Sequence, residues 1–199
     1  MDIVFQWLSI NWFETIAALL GLIGIFLQIK QNAWYWAISI VMVLMYIVVF
    51  FESKFYADMS FQFYYLVISF YGLYYWITKK STAKKKTINT SKLTGKAWVI
   101  SIMISIILFV LIYIILEKFT DSDVAIGDAF TTALSFVATW LLARKVLENW
   151  LFWIIVDAVS TSLYIYKGLY PTAILFFVLT ILAFYGYFIW KKSLVDGKN

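Results

Sequence analysis

Glu148-Asn149-Trp150-Leu151-Phe152-Trp153-Ile154-Ile155-Val156-Asp157 is the stretch that decides how the chain is read. Its first half sets two tryptophans three residues apart beside polar side chains, as at the rim of a membrane. Its second half runs inward as an apolar helix and places Asp157 well inside hydrocarbon. A charge at that depth costs about 2.5–3.5 kcal/mol on insertion scales, so a carboxylate kept there needs a compensating role.

The rest of the chain agrees with a membrane reading. Of its 199 residues 64% are hydrophobic, 21% aromatic and only 14% charged, against about 25% charged and under about 50% apolar in a soluble domain. Cysteine and histidine are both absent. That removes disulfides, thiol nucleophiles, the usual zinc ligands and histidine acid/base chemistry, so no enzyme activity, metal or cofactor is expected. Asp2 stands where a cleavable signal peptide would carry positive charge, and no small-residue cleavage site follows.

Seven apolar stretches approach the roughly 20 residues that a spanning helix needs. They run Trp12–Gln28, Ala33–Phe51, Met59–Ile77, Ala97–Leu116, Ile126–Ala143, Trp150–Tyr166 and Tyr170–Trp190. The expected fold class is an all-α integral membrane protein with seven transmembrane helices. The fifth span is the least regular, because Thr131, Thr132, Ser135 and Thr139 interrupt it. Residues before Ile10 read as a short interfacial segment. Pro171 is the only proline, so continuous helices are expected.

Thirteen of the 16 basic residues fall on one side of such a bundle, including the lysine-rich stretch from Lys79 to Lys96. Positive loops stay in the cytoplasm, which puts the N-terminus outside and the C-terminus in the cytoplasm. The lysine stretch is then a cytoplasmic anchor between two spans, and no nucleic-acid partner is expected.

An internal repeat organises the spans. Asn32-Ala-Trp-Tyr-Trp36 aligns with Asn149-Trp-Leu-Phe-Trp153 at an offset of 117, which sets Ile40 opposite Asp157. Tyr71-Gly-Leu-Tyr-Tyr-Trp76 aligns with Tyr185-Gly-Tyr-Phe-Ile-Trp190 at an offset of 114, as does Tyr56 with Tyr170. The first and fifth spans enter from the same side, so the halves are parallel repeats in a 3+1+3 plan like that of SWEET transporters, with a substrate site near midplane. The expected divisions are 12–77 for the first repeat, 78–125 for the basic loop and linker helix, 126–190 for the second repeat and 191–199 for a cytoplasmic tail.

At about 100° per residue, Asn149, Trp153, Asp157, Ser160 and Tyr164 fall within roughly 80° of one another. That stripe is polar and aromatic and should face a cavity. An aromatic belt is the other reading of Trp150 and Trp153, and an interhelical hydrogen bond that of Asp157. On the third span Asp58, Gln62, Tyr65 and Ser69 recur at helical spacing. Gln62 can both donate to and accept from an amide or hydroxyl, or simply join two helices. Ser135 and Thr139 add hydroxyls one turn apart on the fifth span. Aromatic faces with one buried carboxylate suit a flat cation, which gains roughly 2 kcal/mol over a desolvated indole.

At these residues the chain resembles the PnuC family of bacterial vitamin transporters. The likeness rests on Glu148-Asn149-Trp150-x-x-Trp153, on Tyr56-Ala57-Asp58-x-x-x-Gln62, and on the Tyr-Gly-x-x-x-Trp ends of the third and seventh spans. The resemblance implies a homotrimer in the bacterial cytoplasmic membrane that carries nicotinamide riboside by uniport with alternating access. It also implies intracellular phosphorylation that traps the substrate. It marks Trp150, Trp153, Asn149 and Gln62 as substrate contacts. Family relatives specialised for thiamine, another aromatic cation, leave that vitamin as the alternative cargo. A retinal-type protein is disfavoured because Ala173–Trp190 holds no lysine, and a membrane hydrolase because paired acids are missing from the spans. A non-transporting seven-helix protein is the remaining alternative.

Overall fold

The structure, a computed structural model, describes residues 12–52, 54, 56–78, 90–120 and 122–196. The segment before Ile10, most of the lysine stretch (79–89) and the Asp58 side chain lie outside the described residues. Seven helices are described: α1 Trp12–Ile29, α2 Trp34–Glu52, α3 Tyr56–Thr78, α4 Gly95–Phe119, α5 Ala125–Ala143, α6 Asn149–Tyr166 and α7 Tyr170–Asp196. Four of them, α2, α4, α5 and α7, are long and apolar enough to cross a membrane on their own. Of the seven spans expected from sequence, α1 has a shorter apolar run, Leu20–Ile29. The other two, α3 and α6, are less apolar: α3 carries Gln62 and six tyrosines, and α6 carries Asn149, Asp157 and Ser160.

Local chemistry sets the helix ends. Thr94 caps α4, its Oγ1 accepting the Ala97 amide at 3.3 Å, so the helix begins ahead of the hydropathic run. Pro171 sits in the first turn of α7, where its missing N–H costs nothing. That helix continues through Lys191 and Lys192 to Asp196, so the expected tail beginning at 191 starts as helix.

The polar fifth span is nevertheless an unbroken helix. Thr131 donates to Gly127 O (3.0 Å), Ser135 to Thr131 O (2.8 Å) and Thr139 to Ser135 O (2.7 Å). Each hydroxyl is thereby satisfied inside its own helix, which lets it sit in an apolar setting. α5 has the lowest mean hydropathy of the four spanning helices, 1.4, yet half of it is buried, against 17% of α4 at 3.2. Enclosure by protein goes with polarity, and lipid exposure with apolarity.

The chain divides into two compact units, 1–77 and 78–199. In the first, Trp36 of α2 is fully buried. It meets Trp76 of α3 edge-on at 5.7 Å, and its ring lies where a Cβ on Gly72 would fall. Ser39 and Ser69 share a hydrogen bond of 2.9 Å between the same two helices. In the second unit α4 packs on α5, α5 on α6 and α6 on α7. Its core joins Leu134, Val137, Ala138 and Leu141 of α5 to Phe152 and Val156 of α6.

Trp150 of α6 repeats the arrangement of Trp36: fully buried, edge-on to Trp190 at 5.5 Å, its ring 2.5 Å from a Cβ built on Gly186. Trp36 and Trp150, Gly72 and Gly186, and Trp76 and Trp190 are each 114 apart. The pairing of Trp36 with Trp153 at 117 is therefore corrected. An indole stands at both 150 and 153, and only the packing partner tells them apart. In the corrected register the counterpart of Asp157 is buried Val43, not Ile40.

Candidate functional site

α6 has two chemically distinct faces. Leu151, Phe152 and Ile155 line an apolar hollow of about 460 Å³ with Trp98, Phe109 and Phe130. No charged group lines it, so a cation there would meet no counter-charge. Asn149, Trp153, Asp157, Ser160 and Tyr164 lie on the opposite face. That stripe is enclosed rather than lipid-facing: Asn149 is 0%, Asp157 6% and Ser160 6% exposed, and Trp153 is half-buried.

Several polar groups on this stripe are left open. Asn149 donates its Nδ2 to Val146 O at 2.6 Å, which leaves Oδ1 buried without a partner. The indole N–H groups of Trp150 and Trp153 are also buried without acceptors. Among the described residues no hydrogen bond reaches the Asp157 carboxylate; Thr161 Oγ1 takes only its backbone carbonyl, at 2.8 Å. Buried polar groups are normally paired, and several unpaired ones on one helix point to a ligand. The interhelical hydrogen bond weighed for Asp157 is not present.

The remaining candidates are placed as follows. Trp150 is not an open stacking face, because Gly186 lies against its ring and Trp190 meets it edge-on. Trp153 packs one side on the α5–α6 core. Tyr164 stacks on Phe176 of α7 at 5.0 Å, a partner the sequence did not single out. Thr139 lies on α5 beside α6, its proton committed to Ser135 O and its oxygen free to accept. Gln62 is half-buried on α3, in the first unit.

Sequence reasoning missed how the N-terminal end of α6 is held. Ser91 bridges the α5–α6 loop, donating to Lys145 O (3.0 Å) and accepting from Leu147 N (2.8 Å). Leu93 N donates to Glu148 Oε2 at 2.9 Å, and Thr90 meets Ser193 of α7 at 3.1 Å. Lys145 is buried in that loop at a positive φ of 52°, and burial pushes its ammonium down to about 8. In the sequence, residues 90–94 stand out only as part of the lysine-rich stretch from Lys79 to Lys96.

Apolar helices, one of them carrying an acid, an amide and indoles that have open polar atoms among the described residues, fit a multi-pass membrane transporter for a small polar solute. The family model described as nicotinamide mononucleotide transporter matches residues 11–192, and the chain belongs to that family. It is similar to the nicotinamide riboside transporter PnuC of Escherichia coli, 22% identical over 93% of this chain and 87% of that protein. The PnuC of Neisseria mucosa is likewise 22% identical, over 96% of this chain and 76% of its own length. A solved structure described as the vitamin B3 transporter PnuC superposes with a TM-score of 0.76 at 21% identity, covering 98% of this chain and 87% of that one. That likeness bears on the fold.

Proposed function

We propose that this protein takes up nicotinamide riboside across a bacterial cytoplasmic membrane by facilitated diffusion, as a uniporter working by alternating access. The N-terminus is outside and the C-terminus inside, the orientation that keeps thirteen basic residues cytoplasmic. The helices form a 3+1+3 plan of parallel, SWEET-like repeats, α1–α3 and α5–α7 with α4 as linker; the recurring tryptophan–glycine–tryptophan packing at 114 residues supports it. The protomers assemble as a homotrimer, and intracellular phosphorylation traps the product.

The observation that carries this reading is Asp157: an acid buried on the α6 stripe that no hydrogen bond reaches among the described residues, on the same face as Trp153, whose indole N–H is buried without an acceptor. The carboxylate balances the pyridinium charge and Trp153 lies along the ring. Asn149 Oδ1 accepts from the substrate, with Ser160, Tyr164 and Thr139 completing the lining. Trp150 serves as the wall that fixes α6 on α7. The riboside is favoured over its phosphate because α6, which carries the stripe, holds an acid and no lysine or arginine.

The test is uptake of labelled nicotinamide riboside into vesicles holding the purified protein, with unlabelled thiamine and nicotinamide mononucleotide as competitors. Saturable uptake that neither competitor inhibits is expected. Inhibition by thiamine at riboside-like concentrations would transfer the assignment to that vitamin, and absence of uptake would leave a non-transporting membrane protein.

A further inference from the structure

We propose that Glu148 is a positioning residue for substrate binding, tying the strap of residues 90–94 to the first turn of α6 so that Asn149 presents its free oxygen. This rests on the reading of Asn149 as a substrate contact.

Two runs of bonds converge on that asparagine. On one side, Ser91 clamps the α5–α6 loop through Lys145 O and Leu147 N, with Val146 held opposite it. The carbonyl of Val146 then receives Asn149 Nδ2 at 2.6 Å. An amide whose nitrogen is so held has its oxygen fixed in direction, and that oxygen is buried with no acceptor role inside the protein. On the other side, Glu148 is only 8% exposed and accepts the Leu93 amide at 2.9 Å. Glu148 immediately precedes Asn149 and supplies no side-chain cap to its own helix. Its carboxylate is thus turned away from α6 toward the strap. Thr90 and Ser193 fasten the far end of the same strap to α7. The strap is therefore bonded to the α5–α6 loop, to α6 and to α7, and Glu148 is its side-chain link to the helix that carries the site.

A charge-assisted bond of this kind is among the stronger ones, and losing it leaves a part-buried backbone N–H unpaired. Glutamine keeps an oxygen acceptor at nearly the same place; alanine does not.

The experiment measures nicotinamide riboside binding to the purified full chain for E148A, E148Q, N149A, W153A and the E148A/N149A pair. E148A is expected to weaken binding about tenfold, E148Q to stay within about twofold of the parent, and the pair to be no weaker than N149A alone. A role confined to stability would lower the unfolding midpoint without making the two substitutions non-additive. Should E148A not yield folded protein, E148D, which draws the carboxylate back from Leu93, is read in the same way. Parent-like binding by E148A, additive losses in the pair, or a loss in E148Q as large as in E148A would overturn the inference while leaving the site reading intact. If N149A and W153A both bind as the parent does, the site reading falls and this inference falls with it.

Discussion

Gly186 lies where the Trp150 ring leaves no space for a methyl group, and Gly72 stands in the same relation to Trp36. In an open helix, replacing glycine by alanine gains about 1 kcal/mol. Here the new Cβ would sit 2.5 Å from a fully buried ring, and overpacking costs about 1–3 kcal/mol, so steric cost wins. Gly186→Ala is expected to lower the unfolding midpoint in detergent, whereas Gly95→Ala, with nothing within 4 Å, should not. Asp157 calls for the opposite sign. Its carboxylate is buried with no hydrogen bond among the described residues, at a cost that asparagine reduces. Asp157→Asn should therefore melt no lower than the parent yet bind nicotinamide riboside at least about tenfold more weakly, since a desolvated cation loses its counter-charge. Trp153→Ala should also weaken binding by about tenfold or more through the lost cation–ring contact. Calorimetry and binding on the same preparations separate the two effects. A variant that lost stability and binding together would make Asp157 a structural acid.

At the scale of elements, α5–α6 and their loop show what a sequence can and cannot convey. All seven helices were legible, because apolar runs near 20 residues have few other uses. The hydroxyls of α5 looked like an interruption, yet those of Thr131, Ser135 and Thr139 are absorbed by the carbonyl one turn back, a local satisfaction that hydropathy does not register. The stripe of α6 was legible from angular spacing alone. The register between Trp36 and Trp150 was not, since either indole of Trp150-x-x-Trp153 fits the motif and only the facing glycine distinguishes them. The strap at 90–94 was equally hidden, because backbone bonds made far along the chain leave no compositional mark. Lys145 offers a check on that loop. Burial lowers its pKa from 10.5 to about 8. Between those values the unfolded chain holds a proton that the folded chain has released, so stability rises with pH across that window and is flat below it. Unfolding midpoints taken from pH 7 to 10.5 should climb above pH 8 in the parent and lose that climb in Lys145→Met.

For the molecule as a whole, the distribution of charge bears on how transport is driven. Apart from Asp157, every acid in a described helix falls in a first or last turn: Glu14, Glu52, Asp58, Glu117, Asp128 and Asp196. Proton-coupled carriers pass protons along chains of intramembrane acids or histidines, and this sequence has no histidine and a single deep acid. That acid, moreover, is already committed in the proposed site to balancing a fixed positive charge on the substrate, and a proton taken up there would compete with the cargo instead of accompanying it. That argues against coupled uptake, and under the proposed uniport net accumulation would come from consumption of the substrate inside. In vesicles that hold the protein but no kinase, labelled nicotinamide riboside should stop entering once inner and outer concentrations are equal, and a protonophore should leave the initial rate unchanged. Accumulation above the outer concentration that disappears with the protonophore would require a proton path through Asp157 and would end the uniport assignment.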